Sequence, residues 1–95
     1  MKGKKGAFNL NNYVYVQLFD EGIEHFTNWR NMYLPSDLQN PKEYFISRLD
    51  KDGYIKLQAW EFMRAFGDTL LMGGSPLFNL TIMLDIKDIK PVNDE

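Results

Sequence analysis

The chain has no cysteine. That removes disulfides, thiolate catalysis and cysteine-type zinc sites from consideration. Histidine is nearly absent as well: His25 stands alone, and metal or acid–base work needs partners. No apolar run approaches the ~20 residues of a membrane span, and no hydrophobic signal core follows the N-terminal lysines. The expectation is a soluble, cytoplasmic protein with no membrane partner. Nor is one charge sign in excess: 11 Lys and Arg stand against 13 Asp and Glu, for a net −2. This balance argues against a broad basic face gripping nucleic acid, which needs clustered Lys and Arg. Internal repeats and low-complexity tracts are missing too. What the chain does have is rings, with seven Phe, five Tyr and two Trp in 95 residues. One domain of this size folds alone by burying roughly 60–70% of its unfolded surface. Its core has little room for so many large rings, so some of them are expected to face a partner.

Residues 52–67 organise the chain. Asp52-Gly53 is a turn pair, because glycine reaches positive φ at no steric cost. Tyr54-Ile55-Lys56-Leu57 alternates as a short strand. From Gln58 the period becomes helical: Ala59, Phe62, Met63, Phe66 and Leu70 share a stripe, with Glu61, Arg64 and Asp68 opposite and Gly67 as the stop. Upstream, residues 1–12 read as a flexible lead-in. Tyr13 to Phe19 is a strand with Val14, Val16 and Leu18 on one face and Tyr13, Tyr15, Gln17 and Phe19 on the other. Asp20 is placed to cap a helix whose stripe is Ile23, Phe26, Trp29 and Tyr33, and Pro35 ends it. Asn40-Pro41-Lys42-Glu43 supports either a short helix start or a loop pinned by Tyr44, Phe45, Ile46 and Leu49. Residues 68–72 continue the helix or begin an extended segment, and Gly73-Gly74-Ser75-Pro76 is a turn. Phe78, Leu80, Ile82, Leu84 and Ile86 then alternate with polar neighbours as one long strand, and 91–95 is tail.

The expected fold is α+β: a small, mainly antiparallel sheet with strands near 13–19, 54–57 and 77–87, and two helices near 21–33 and 58–67 on one face. A single domain spans 13–90, with the first and last strands as neighbours. The sheet's second face would display Tyr13, Tyr15, Phe19, Thr81 and Met83.

The chemical candidates are few. Asp50-Lys51-Asp52-Gly53 has the look of a calcium loop, but with Gly53 at the sixth position the first ligand becomes Arg48 and the twelfth Ala59. Both essential carboxylates are missing, which leaves a polar turn. Glu24 adjoins His25 in sequence but points about 100° away on a helix. Ser36, Ser47 and Ser75 lack a nucleophile-elbow context. No catalytic residue, metal ligand or cofactor is assigned, and an enzyme is not expected. Trp60 and Arg64, one helical turn apart, form either a half-buried stack or a hot-spot anchor for a partner.

Two blocks carry a resemblance. Tyr13-Val14-Tyr15-Val16-Gln17-Leu18 fits Tyr-Val-x-Val-x-Leu, and Gly53 to Gly67 fits Gly-Tyr-x-Lys-x-Gln-x-Trp-Glu-x-Met-x-x-Phe-Gly. Together they resemble a group of short, uncharacterised phage and prophage proteins. Residues 35–49 do not fit it, and the match after Gly74 is loose. The resemblance implies a small accessory protein acting in a bacterial cytoplasm by binding a host protein. The expected function is therefore a non-enzymatic protein-binding module, host or self partner, using Tyr13, Tyr15, Phe19, Met83, Trp60 and Arg64. The alternative is a nucleic-acid or nucleotide-associated domain using the lysine arm, Lys2, Lys4 and Lys5, with surface rings.

Overall fold

A computed structural model describes residues 5–70 and 75–92. Five strands and three α-helices follow one another as β1 (Lys5–Phe8), β2 (Tyr13–Gln17), α1 (Asp20–Asn31), α2 (Lys42–Ile46), β3 (Tyr54–Gln58), α3 (Ala59–Phe66), β4 (Met83–Leu84) and β5 (Ile89–Val92). The class is the expected α+β.

Two separate sheets form. In the first, β2 lies between β3 and β4, antiparallel to both, with Val14 opposite Leu57 on one side and Leu84 on the other. The first strand and part of the expected last strand are therefore neighbours. The alternation in β2 and β3 turns Val14, Val16, Ile55 and Leu57 to one side, where each is 2% exposed or less. Gly53 closes the approach to β3 at φ 86°, in the left-handed region that glycine enters freely. Asp50 secures that turn by accepting the Asp52 and Tyr54 N–H groups through Oδ1.

Over the buried face sit phenylalanines from four segments. Phe26 of α1 stacks on Phe66 of α3 at 6.1 Å and meets Phe45 of α2 edge-on at 5.6 Å; Phe78 stands 5.2 Å from Phe66. All four are buried. Thr27, within the same layer, donates its hydroxyl to the Ile23 carbonyl at 2.8 Å, so its burial leaves no polar atom orphaned. Gly22 lets α1 approach the chain at Leu77: a Cβ there would run into the Leu77 carbonyl, which accepts the Phe19 N–H at 3.0 Å.

The second sheet is a ribbon of β1 and β5, with Lys5 opposite Val92 and Phe8 opposite Ile89. Seven of its eight residues are exposed, Phe8 being half-buried. The molecule measures 55 × 28 × 28 Å, long for its width.

Several expectations need correction. The 77–87 strand is broken: Leu18 bridges Phe78, yet Tyr15 faces Met83, so two β2 residues oppose the four residues 79–82. Asn79 Oδ1 accepts the Thr81 N–H within this bulge, and Leu80 is pushed out to 64% exposure. Residues 5–8 and 91–92, expected as lead-in and tail, are strand. A third helix, α2, takes the short-helix option. Asp20 is not the cap; Phe19 occupies that position and Asp20 opens the helix, where its charge still meets the positive dipole end. Gly67 does follow the last residue of α3 as its C-cap, but not in a left-handed conformation. Its φ is −55°, and residues Gly67–Leu70 run on as a 3-10 turn. Met63 and Leu70 leave the buried stripe and are exposed, while Ala65 joins it. Residues 71–74, which include part of the expected turn, lie outside the described residues.

Candidate functional site

The expected sheet face exists in part. Tyr13 and Tyr15 point away from the core, Tyr15 between Lys56 of β3 and Met83 of β4. Tyr13 and Met83 are exposed, and the Lys56 ammonium lies 4.6 Å from the centre of the Tyr13 ring. Tyr15 is half-buried and donates its hydroxyl to Asp85 Oδ2 at 3.0 Å. That hydrogen bond, then burial and the negative charges of Asp85 and Asp88, hold its hydroxyl above the ordinary tyrosine value near 10. Tyr15 therefore works as a brace between β2 and the segment after β4. Phe19 is exposed at the start of α1, beyond the end of β2. The face is a small ring surface with a tethered cation, not a pocket.

Arg64 belongs to a second surface, whose lining does not include Trp60. Arg64 does not stack on Trp60; among the described residues the cation over a ring is Lys56 on Tyr13. It lines instead a cleft of about 210 Å³ with Trp29, Arg30 and Tyr33 of α1 and the loop after it. Arg30 Nη1 donates to Glu61 Oε2 at 2.8 Å and ties α1 to α3. Arg64 makes no ion pair or hydrogen bond among the described residues. Tyr33, expected in the core stripe, lies past the end of α1 and is 90% exposed; Trp60 is 40% exposed. The helix ends two residues early, so Tyr33 leaves the apolar side.

Trp29, Arg30 and Tyr33 were missed as site residues, although a signal was available. Trp29 on α1 and Tyr33 just past its end stand four apart, as Trp60 and Arg64 do on α3, and Arg30 and Glu61 are opposite charges one step from each tryptophan. Two helices laid side by side join these halves, which neither half reveals alone.

The remaining candidates resolve structurally. His25 Nε2 is 2.6 Å from the Ala65 carbonyl, and its ring lies 5.2 Å from Phe66; it joins α1 to α3. Asp50 spends its carboxylate on the turn, and no group of three or more acids and histidines that could hold a metal occurs among the described residues. Lys5 lies in β1, on the ribbon face it shares with Lys90; Lys2 and Lys4 lie outside the described residues. A larger open groove of about 450 Å³ runs beside β1, lined by Ala7, Phe8, Asn9, Asn12, Asp88 and Lys90. No described helix is long and apolar enough to cross a membrane.

No family model, curated protein or solved structure matches the chain.

Proposed function

We propose that this α+β domain is a non-enzymatic protein-binding module, a small phage- or prophage-type accessory protein acting in the bacterial cytoplasm. The observation that carries the reading is the cleft between α1 and α3. Trp29 and Tyr33 line the cleft with Arg64, a guanidinium without a carboxylate partner among the described residues. Trp, Tyr and Arg are the residues enriched at binding hot spots, because rings bury large area at low entropy cost and Arg pairs with carboxylates bidentately. A host protein presenting a carboxylate beside an apolar side chain fits this lining. The resemblance to short phage proteins supports the same class.

The nucleic-acid reading keeps one support, the placement of Lys5 and Lys90 on one face of the ribbon. A single experiment separates the two. Tagged protein is used to capture partners from nuclease-treated host lysate at low and high salt, beside an Arg64→Glu variant and a Tyr13→Ser, Tyr15→Ser double variant. Protein capture that survives nuclease and drops at least ~30-fold in affinity in Arg64→Glu, at unchanged melting temperature, supports the cleft; this is the loss of a hot spot of about 2 kcal/mol. Capture indifferent to Arg64→Glu but lost in the tyrosine variant moves the site to the sheet face. Capture abolished by nuclease and by salt favours nucleic acid.

A further inference from the structure

One edge of the ribbon is sealed and the other is open. Gly6 faces Pro91, which has no N–H to give. The ribbon's hydrogen bonds therefore run through the Lys5–Val92 and Ala7–Lys90 pairs, and the outward main-chain groups belong to Gly6 and Phe8 on β1 and to Ile89 and Pro91 on β5. Along β5 the Ile89 N–H is already given to the Ile86 carbonyl, and Pro91 has none. No donor is left there for another strand. Along β1 the outward N–H and C=O groups of Gly6 and Phe8 have no partner among the described residues. Native edges are usually protected, and a two-stranded ribbon is marginal in water by itself.

We infer that the β1 edge receives the β1 strand of a second copy, antiparallel about a two-fold axis passing between the two Ala7 residues. In this register Gly6 of each copy faces Phe8 of the other, and these two residue pairs exchange about four main-chain hydrogen bonds, two each. Ala7 meets Ala7 at the narrow, non-hydrogen-bonded position, about 4.5 Å between Cα atoms, where a small side chain suits. Phe8 of one copy thus lies opposite a residue with no side chain of its own, which leaves the large ring room. Lys5 falls opposite Asn9, so no two lysines face each other. The strand is thus complementary to itself, which argues for a second copy over an unrelated chain. The sealed β5 edges give closure: the sheet β5-β1-β1-β5 stops at four strands and the assembly at two copies. This surface is separate from the α1/α3 cleft, so either can fail without the other.

The test uses the full chain. Light scattering across a concentration series is expected to show about twice the 11.2 kDa of one copy. Because the chain has no cysteine, Ala7→Cys reports the register directly: mild oxidation is expected to give a covalent dimer. Lys90→Cys, with its mate about 14 Å away across three strand spacings, is expected not to. Ala7→Glu keeps the ribbon, since its carboxylate would face Lys90, but sets two charges together at the axis; it is expected to weaken association at least tenfold. Mixing it with Ala7→Lys restores the dimer. A single-copy mass throughout the series, or equal crosslinking through positions 7 and 90, overturns the proposal. So does an Ala7→Glu protein that stays dimeric.

Discussion

The three-stranded sheet and the two-stranded ribbon use the same hydrogen bonds, yet only one of them is anchored by burial. A main-chain hydrogen bond contributes a net ~1 kcal/mol, because water is displaced from both groups. Under the sheet, Val14, Val16, Ile55 and Leu57 are almost fully withdrawn from water, each contributing about 1.5–3 kcal/mol beyond that. The ribbon has only Phe8 reaching toward the core. The sheet thus belongs to the cooperative unit, whereas the ribbon depends on pairing and on whatever closes its open edge. Strand pairing places a segment; a covered face holds it there.

The strongest way to break this contrast is to remove one ring from each region. Phe26→Ala takes out the ring between Phe45 and Phe66 and is expected to cost about 3–5 kcal/mol. That is a large fraction of the 5–15 kcal/mol a domain has, so the melting temperature should fall by roughly 12 °C or more. Phe8→Ala should cost about 1 kcal/mol or less, because its side chain is only half-buried. Equal losses in calorimetry would mean the ribbon is part of the core. An effect between these two is expected at Gly22. Alanine gains about 0.5–1 kcal/mol of helix propensity but pushes Cβ against the Leu77 carbonyl, a backbone atom with little freedom. A net loss of about 1–3 kcal/mol in denaturant titration is expected; a stabilised Gly22→Ala protein would show that α1 and the 75–78 segment are not in firm contact.

The same contrast explains which parts of the fold could be read in the sequence. β2, β3, α1 and α3 were legible because each buries one face, and burial writes a period of two or of 3.6 into the residues. β1 and β5 bury almost nothing, so Lys5-Gly6-Ala7-Phe8 and Ile89-Lys90-Pro91-Val92 carry no period and read as termini. The 77–87 stretch misled in the opposite direction. Its alternation is real, but β2 is too short to pair along all of it, and the two-residue bulge turns Leu80 outward. The sequence also pointed to surplus rings, and Tyr13, Phe19, Tyr33, Tyr44 and Trp60 are indeed exposed. It could not place Trp29 and Tyr33 beside Arg64, because that cleft depends on how two helices lie against each other.

The smallest effect sharpens the comparison inside the sheet itself. β4 is its short member, and beyond it the Tyr15 hydroxyl donates to Asp85. The bond raises the folded-state pKa of Tyr15 above the unfolded value near 10, so the folded chain holds this proton more tightly than the unfolded one. The contribution is complete below pH 10 and is lost as the pH climbs through the folded value. Tyr15→Phe removes both the bond and its titration. Wild type and variant are expected to differ slightly in melting temperature at pH 8 and to converge as the pH passes the folded-state value, with β2 and β3 still paired in the amide-exchange pattern throughout. A difference that does not shrink at all as the pH is raised beyond 10 through the tyrosine titration would show that the ring, not the hydrogen bond, is what ties β2 to the segment after β4.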